Sequence, residues 1–246
     1  MITIRFSQLE KPISVETITT IDITSPMMFA TFITNLNANL LGVTESDEIT
    51  LFEDDAQIAL SYLLFVYDVL TFDFNARPIT TAIQKSLQKR VAMNPELWEP
   101  IEKQTEMLNG EVKSLLLGEE LDLTFDDEWD IGRICKAFAI ELKCDPMMTC
   151  LERAERIIEI TEELHLAKLI VFKNLYQILS QKERKQLFMF ALHESCPILV
   201  LESGKMQNNE LEDVLIIDED YYEKRVPKDY KKEDESRKFD FVEVLE

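Results

Sequence analysis

Between Glu119 and Asp130 the chain carries seven carboxylates in twelve residues: Glu119, Glu120, Asp122, Asp126, Asp127, Glu128 and Asp130. Leu121, Leu123, Phe125 and Trp129 are interleaved with them, which should tie the segment to a core. Carboxylates this close repel one another unless they are protonated, paired with bases or neutralised by a cation. The cluster contains no base, and Arg133 is the first one downstream. Hard oxygen donors suit calcium, which takes roughly six to eight oxygens, better than zinc. Two readings stand. One is a divalent-cation site. The other is a helix start, with Asp126 as the cap and Asp127 and Glu128 favouring the positive helix end. The EF-hand pattern is absent, because no glycine follows the acids at the required place.

The complementary chemistry is basic. Lys85 and Lys89 share a helical face, with Arg90 beside them, and such a face is either solvated or an anion contact. Lys182, Arg184 and Lys185 form a similar but less specific group. Arg133 and Lys136 follow the acid cluster directly, placed either to contact an external anion or to partner the cluster internally. Phosphate chemistry of the NTPase kind is disfavoured. In IDITSPMMFATFI the strand–helix turn is Thr24-Ser25-Pro26, with neither the glycines nor the lysine of a phosphate loop, and proline offers no amide donor. The strand AKLIVFKN ends in Lys173 and Asn174, where a carboxylate would hold metal. VLIIDED (214–220) reads as a core strand running into a solvated turn. His165 and His193 accompany no nucleophile–base signature, so a catalytic dyad is not expected.

Composition sets limits on partners. The 246 residues are 46 % apolar and 30 % charged, ordinary for a globular protein of one large or two modest domains. No apolar run is long enough for a membrane span, and no signal-peptide pattern opens the chain, so a cytoplasmic protein is expected. Cys135, Cys144, Cys150 and Cys196 fall at no metal-binding spacing and read as reduced thiols. A net charge of −21 argues against casual nucleic-acid binding, since affinity comes from Lys and Arg on phosphates. Yet fields fade within about 8 Å at physiological salt, so a segregated basic patch can still act. The bases are in fact uneven: residues 1–80 hold three against eleven acids.

The elements that must position these groups follow from pattern. ITIRF (2–6), ISVETITTIDI (13–23) and EITLF (48–52) read as strands, and Ser25-Pro26 opens a helix through MMFATFITNLNANL. From Ala56 to about residue 165 apolar spacing is helical throughout, beginning with QIALSYLLFVYDVL and ending in LERAERIIEITEELH. AKLIVF (167–172), PILVLE (197–202) and DVLIID (213–218) are continuous apolar runs of the parallel-sheet kind, and Ser180 with Glu183 forms a capping box between the first two. The expected architecture is an α/β domain with a parallel sheet built from both chain ends, residues 1–59 and 166–222. An all-helical domain, 60–165, is inserted, and a charged tail, 223–246, follows. In that tail FDFVEVL (239–245) either docks as a strand or stays loose.

Several segments in order resemble the Csn-two family, the ring-forming CRISPR-associated protein of type II-A systems: EITLFEDDAQIALSYLLFVYDVLTFD, GEELDLTFDDEWDIGRICKAFAIEL, AKLIVFKNLYQILSQKERKQLF, PILVLES and DVLIIDEDYY. The resemblance implies a degenerate NTPase-like domain with an inserted helical arm. It implies a non-enzymatic homotetrameric ring that encloses double-stranded DNA, prefers ends, and works with integration and interference proteins in spacer acquisition for antiviral defence. It also implies structural calcium, carried here onto Glu120, Asp122, Asp126, Glu128 and Asp130. The DNA role falls on Lys85, Lys89 and Arg90, with Arg133 and Lys136 as further candidates. The competing expectations are a catalytically inactive NTPase-like regulatory or protein-interaction module and a metal-dependent nuclease.

Overall fold

A computed structural model describes residues 1–43, 49–117, 123–204, 210–226 and 228. The chain divides into two compact units. One comprises Met1–Leu70, Thr149–Ile158 and Ala167–Glu246; the other comprises Thr71–Met148 and Glu159–Leu166.

The first unit is α/β. Its larger sheet draws on β3 (Ile18–Ile23), β6 (Leu63–Val66), β7 (Leu169–Lys173), β8 (Ile198–Glu202), β9 (Asp213–Ile217) and β10 (Glu223–Val226). The strand order is β10-β9-β3-β8-β7-β6, with every neighbouring pair parallel except β10 on β9. Every residue of β3 and β8 is buried, as expected of central strands covered on both faces. A second, antiparallel sheet has the order β2-β1-β4-β5, from β1 (Ile2–Phe6), β2 (Ile13–Val15), β4 (Ile49–Glu53) and β5 (Ala56–Ile58). One apolar core joins the sheets and α1 (Pro26–Leu40), whose Phe29, Phe32, Ile33 and Leu36 point inward. α5 (Cys150–Glu163), α6 (Leu175–Ile178) and α7 (Gln181–His193) complete the helices, and the Ser180–Glu183 capping box is formed at α7.

The second unit is helical: α2 (Arg77–Met93), α3 (Glu99–Leu116), α4 (Ile131–Ala137) and the last turn of α5. Among its described residues only Phe74, Ile79, Cys135 and Ile160 are buried apolar side chains. Polar locks supplement that small core. The Asn75 side chain accepts the Leu142 amide at 2.8 Å and donates to the Leu142 carbonyl at 3.2 Å.

Two sequence expectations are corrected. The run QIALSYLLFVYDVL is not helical: it forms β5, a 3₁₀ turn at Leu60–Tyr62 and β6, which pairs in parallel with β7. A short apolar run has no periodicity to separate a buried strand from a helix. The charged tail, 223–246, opens on a strand. Glu223–Val226 is a strand on β9, held by the ladder although its own residues are charged. FDFVEVL lies outside the described residues.

Candidate nucleic-acid interface and acidic segment

α2 positions the basic groups. Proline in its first turn lacks only an amide that would have no helical partner, and buried Ile79 anchors the helix. Residues 77, 81, 85 and 89 recur every four positions, so Arg77, Thr81, Lys85 and Lys89 form one stripe about 18 Å long. Arg77, Lys85 and Lys89 are exposed and have no ion-pair partner among the described residues. The stripe lines one side of an open groove of about 680 Å³; Glu163 and His165, where α5 ends, line it as well. His165 turns the chain there with φ 50°. Three cations against one carboxylate make the groove locally positive in a strongly acidic chain. Arg90 is exposed but lies off this stripe, its carbonyl accepting the Asn94 amide and side chain near the helix end. Arg77 escaped the sequence reading because it stands eight residues before Lys85. The four-residue repeat through Thr81 is the signal that marks it.

The acidic segment is organised differently. Glu120 and Asp122 lie outside the described residues. From Thr124 to Asp130 the chain is docked on α3. Asn109 donates to the Asp127 carbonyl at 2.7 Å and accepts the Trp129 indole N–H at 2.9 Å. Lys113 reaches the Asp127 carboxylate at 3.1 Å and sits over the Phe125 ring. Arg133 is turned inward, donating to the Asp126 carboxylate and to the Glu128 carbonyl. That guanidinium, together with the Glu128 amide, holds the Asp126 carboxyl down at about 2. Asp130, and not Asp126, is the cap of α4, its carboxylate accepting the Arg133 amide at 2.7 Å.

Of the two alternatives open for Arg133, the structure therefore places it against the cluster. Lys136 is exposed on α4. Among the described residues no group of three or more His, Cys, Asp or Glu side chains is arranged to hold a metal ion. Of the acids expected to hold calcium, Asp126 is paired with Arg133 and Asp130 caps α4, while Glu120 and Asp122 lie outside the described residues.

In the strand–helix turn after β3 the amides of Thr24 and Met28 are already committed. The Thr24 amide bonds the Ile217 carbonyl at 2.9 Å, Pro26 has none, and the Met28 amide goes to the Ser25 hydroxyl. Lys173, ending β7, lies 3.8 Å from the Tyr67 ring centroid. Asp218 folds a turn by accepting the amides of Asp220 and Tyr222. Among the described residues no helix is long and apolar enough to cross a membrane.

A family model for the CRISPR-associated protein Cas_Csn2 matches residues 43–221. The chain belongs to the Csn2 family. This is the Csn-two family that the ordered motifs resemble, and membership makes the protein CRISPR-associated. A Csn2 protein from Enterococcus faecalis is 26 % identical over 220 residues, covering 89 % of this chain and 96 % of the relative. Another from Streptococcus agalactiae is 25 % identical, covering 90 % and 97 %. The crystal structure of Stu0660 of Streptococcus thermophilus aligns over 92 % of this chain and 76 % of its own, with a TM-score of 0.58 and 12 % identity. At that identity the likeness establishes the fold alone.

Proposed function

We propose that this Csn2-family chain is a non-enzymatic, sequence-independent binder of double-stranded DNA ends. It acts in the cytoplasm as a homotetrameric ring during spacer acquisition, alongside CRISPR integration and interference proteins. One observation carries the reading: the unpaired stripe Arg77–Lys85–Lys89 lining a groove in a chain of net charge −21. Cations spaced along a helix meet phosphates, not base edges, so the binding has no sequence preference and weakens with salt. Four copies total 4 × −21 = −84, so duplex is admitted only where such stripes face it. Asp126 and Asp127 are paired with Arg133 and Lys113, so the reading rests on the basic stripe and not on calcium.

Gel shifts on linear and closed-circular duplex of equal length test the reading. Retention of linear DNA only is expected; equal affinity overturns threading. Prolonged incubation with Mg²⁺ or Mn²⁺ should leave the DNA intact, and cleavage would convert the binder into a nuclease. ATP binding without DNA retention would favour the inactive NTPase-like module instead.

A further inference from the structure

The groove beside α2 holds more than a phosphate contact needs. Cations alone suffice to grip a DNA backbone, yet the lining also includes Pro78, Ala82, Leu164 and Leu166. Its volume of about 680 Å³ falls within the roughly 300–1,000 Å³ of small-ligand sites, far below what a duplex segment fills. The two walls differ in charge. Arg77, Lys85 and Lys89 stand on the α2 wall, whereas the α5 wall carries Glu163 and the negative, carbonyl end of the helix dipole. A phosphate is therefore drawn to α2, and an uncharged group to α5.

The end of α5 adds a second feature. The Leu166 amide donates to the Thr161 carbonyl at 2.9 Å and the His165 amide to the Glu162 carbonyl at 3.2 Å, the two bonds of a Schellman cap. Glycine usually fills the left-handed position of such a cap. Here His165 holds it at φ 50°, its exposed side chain lining the groove. An imidazole offers a flat face on which an unpaired base can stack.

Cations on one wall, with apolar side chains and a flat ring on the other, match the two halves of a nucleotide. We propose that this groove seats an unpaired terminal nucleotide of a DNA strand, its phosphates on the α2 cations and its base against His165, Leu164 and Leu166. The inference rests on the DNA reading of the stripe and narrows it: the ligand in the groove is a single-stranded end, and the duplex behind it stays outside. A base inside the duplex is covered on both faces, whereas one already single-stranded costs least to free. Stacking uses the face that every base has, so binding remains without sequence preference.

Anisotropy titrations of the intact protein with two linear duplexes, one blunt and one ending in a two-nucleotide overhang, test the seat. The overhang should bind about tenfold more tightly, the gain from one stacked base. A 2-aminopurine at the overhang terminus should brighten on binding as it leaves its neighbour's stack. His165→Gly suits the backbone at φ 50°, so the variant should keep its melting temperature and its affinity for blunt duplex while losing the overhang preference. Equal affinity for the two duplexes overturns the seat and leaves the DNA reading of the stripe intact; failure to bind either duplex overturns both. A preference that survives His165→Gly also overturns the seat. If the variant does not fold, the 2-aminopurine signal of the unaltered protein decides, and an unchanged signal rejects the proposal.

Discussion

At the residue scale the acidic segment shows how a chain neutralises its own charge. Arg133 connects Asp126 to the Glu128 carbonyl, while Lys113 takes Asp127. The described part of this stretch is therefore held by internal ion pairs. Asp126→Asn should release Arg133 and undock the segment from α3. Trp129 fluorescence in a Trp98→Phe background should then shift toward the solvent-exposed value equally with EDTA and with calcium. A shift reversed by calcium would return metal to the segment. The pH dependence has a definite sign. The folded carboxyl lies at about 2, below its ordinary value near 3.9, so the docking contribution is present above about 4. It disappears as pH falls toward 2, and the same fluorescence signal follows it. On the opposite side of the charge balance, Lys85→Gln or Lys89→Gln should weaken all duplex sequences alike. Each should reduce the slope of log affinity against log salt by about 1 per engaged protomer. Sequence-selective loss in anisotropy titrations would mean that these residues read bases.

Elements explain which parts of the fold could be read in advance. Ser25-Pro26 announces α1 because a cap and a fixed φ act locally, and Ser180 with Glu183 announces α7 for the same reason. Removing the box by Ser180→Ala should cost about 1 kcal/mol in urea unfolding, with the m-value unchanged. The continuous runs at β7 and β8 are legible because both faces are buried, and Phe172→Ala in β7 should cost about 3–5 kcal/mol for that reason. β6 was misread because LLFV carries no period of its own; its strand state comes from the ladder with β7, residues distant in sequence. β10 was hidden because Glu223, Lys224 and Arg225 suit an edge, where charge discourages further pairing. The basic stripe was half legible. Lys85 and Lys89 announce a face, whereas Arg77 joins it only when α2 starts at residue 77. The pairing of Asp22 with Glu202 was the least legible, since the two become neighbours through strand register alone.

For the whole molecule, salt separates two opposing uses of charge. Protomers of charge −21 repel each other, and raising salt shortens the range of that repulsion from about 10 Å at 0.1 M to about 3 Å at 1 M. On the proposed function the same ions should compete with Arg77, Lys85 and Lys89 for phosphate, so DNA affinity should fall steeply over the same interval. Assembly and DNA retention should therefore respond with opposite sign. Light scattering should give a particle of four times 28.7 kDa, about 115 kDa, whose share of the protein holds or grows from 0.05 to 0.5 M NaCl. Anisotropy on linear duplex should meanwhile lose at least about a thousandfold in affinity, the range for a protein neutralising several phosphates. If the stripe contacts phosphate and not a second protomer, replacing all three of its residues by Gln should abolish retention while leaving the mass at about 115 kDa. If mass and retention fall together as salt rises, the ring is held by charge pairs between protomers. In that case the basic stripe belongs to a subunit interface, and the DNA reading of α2 fails.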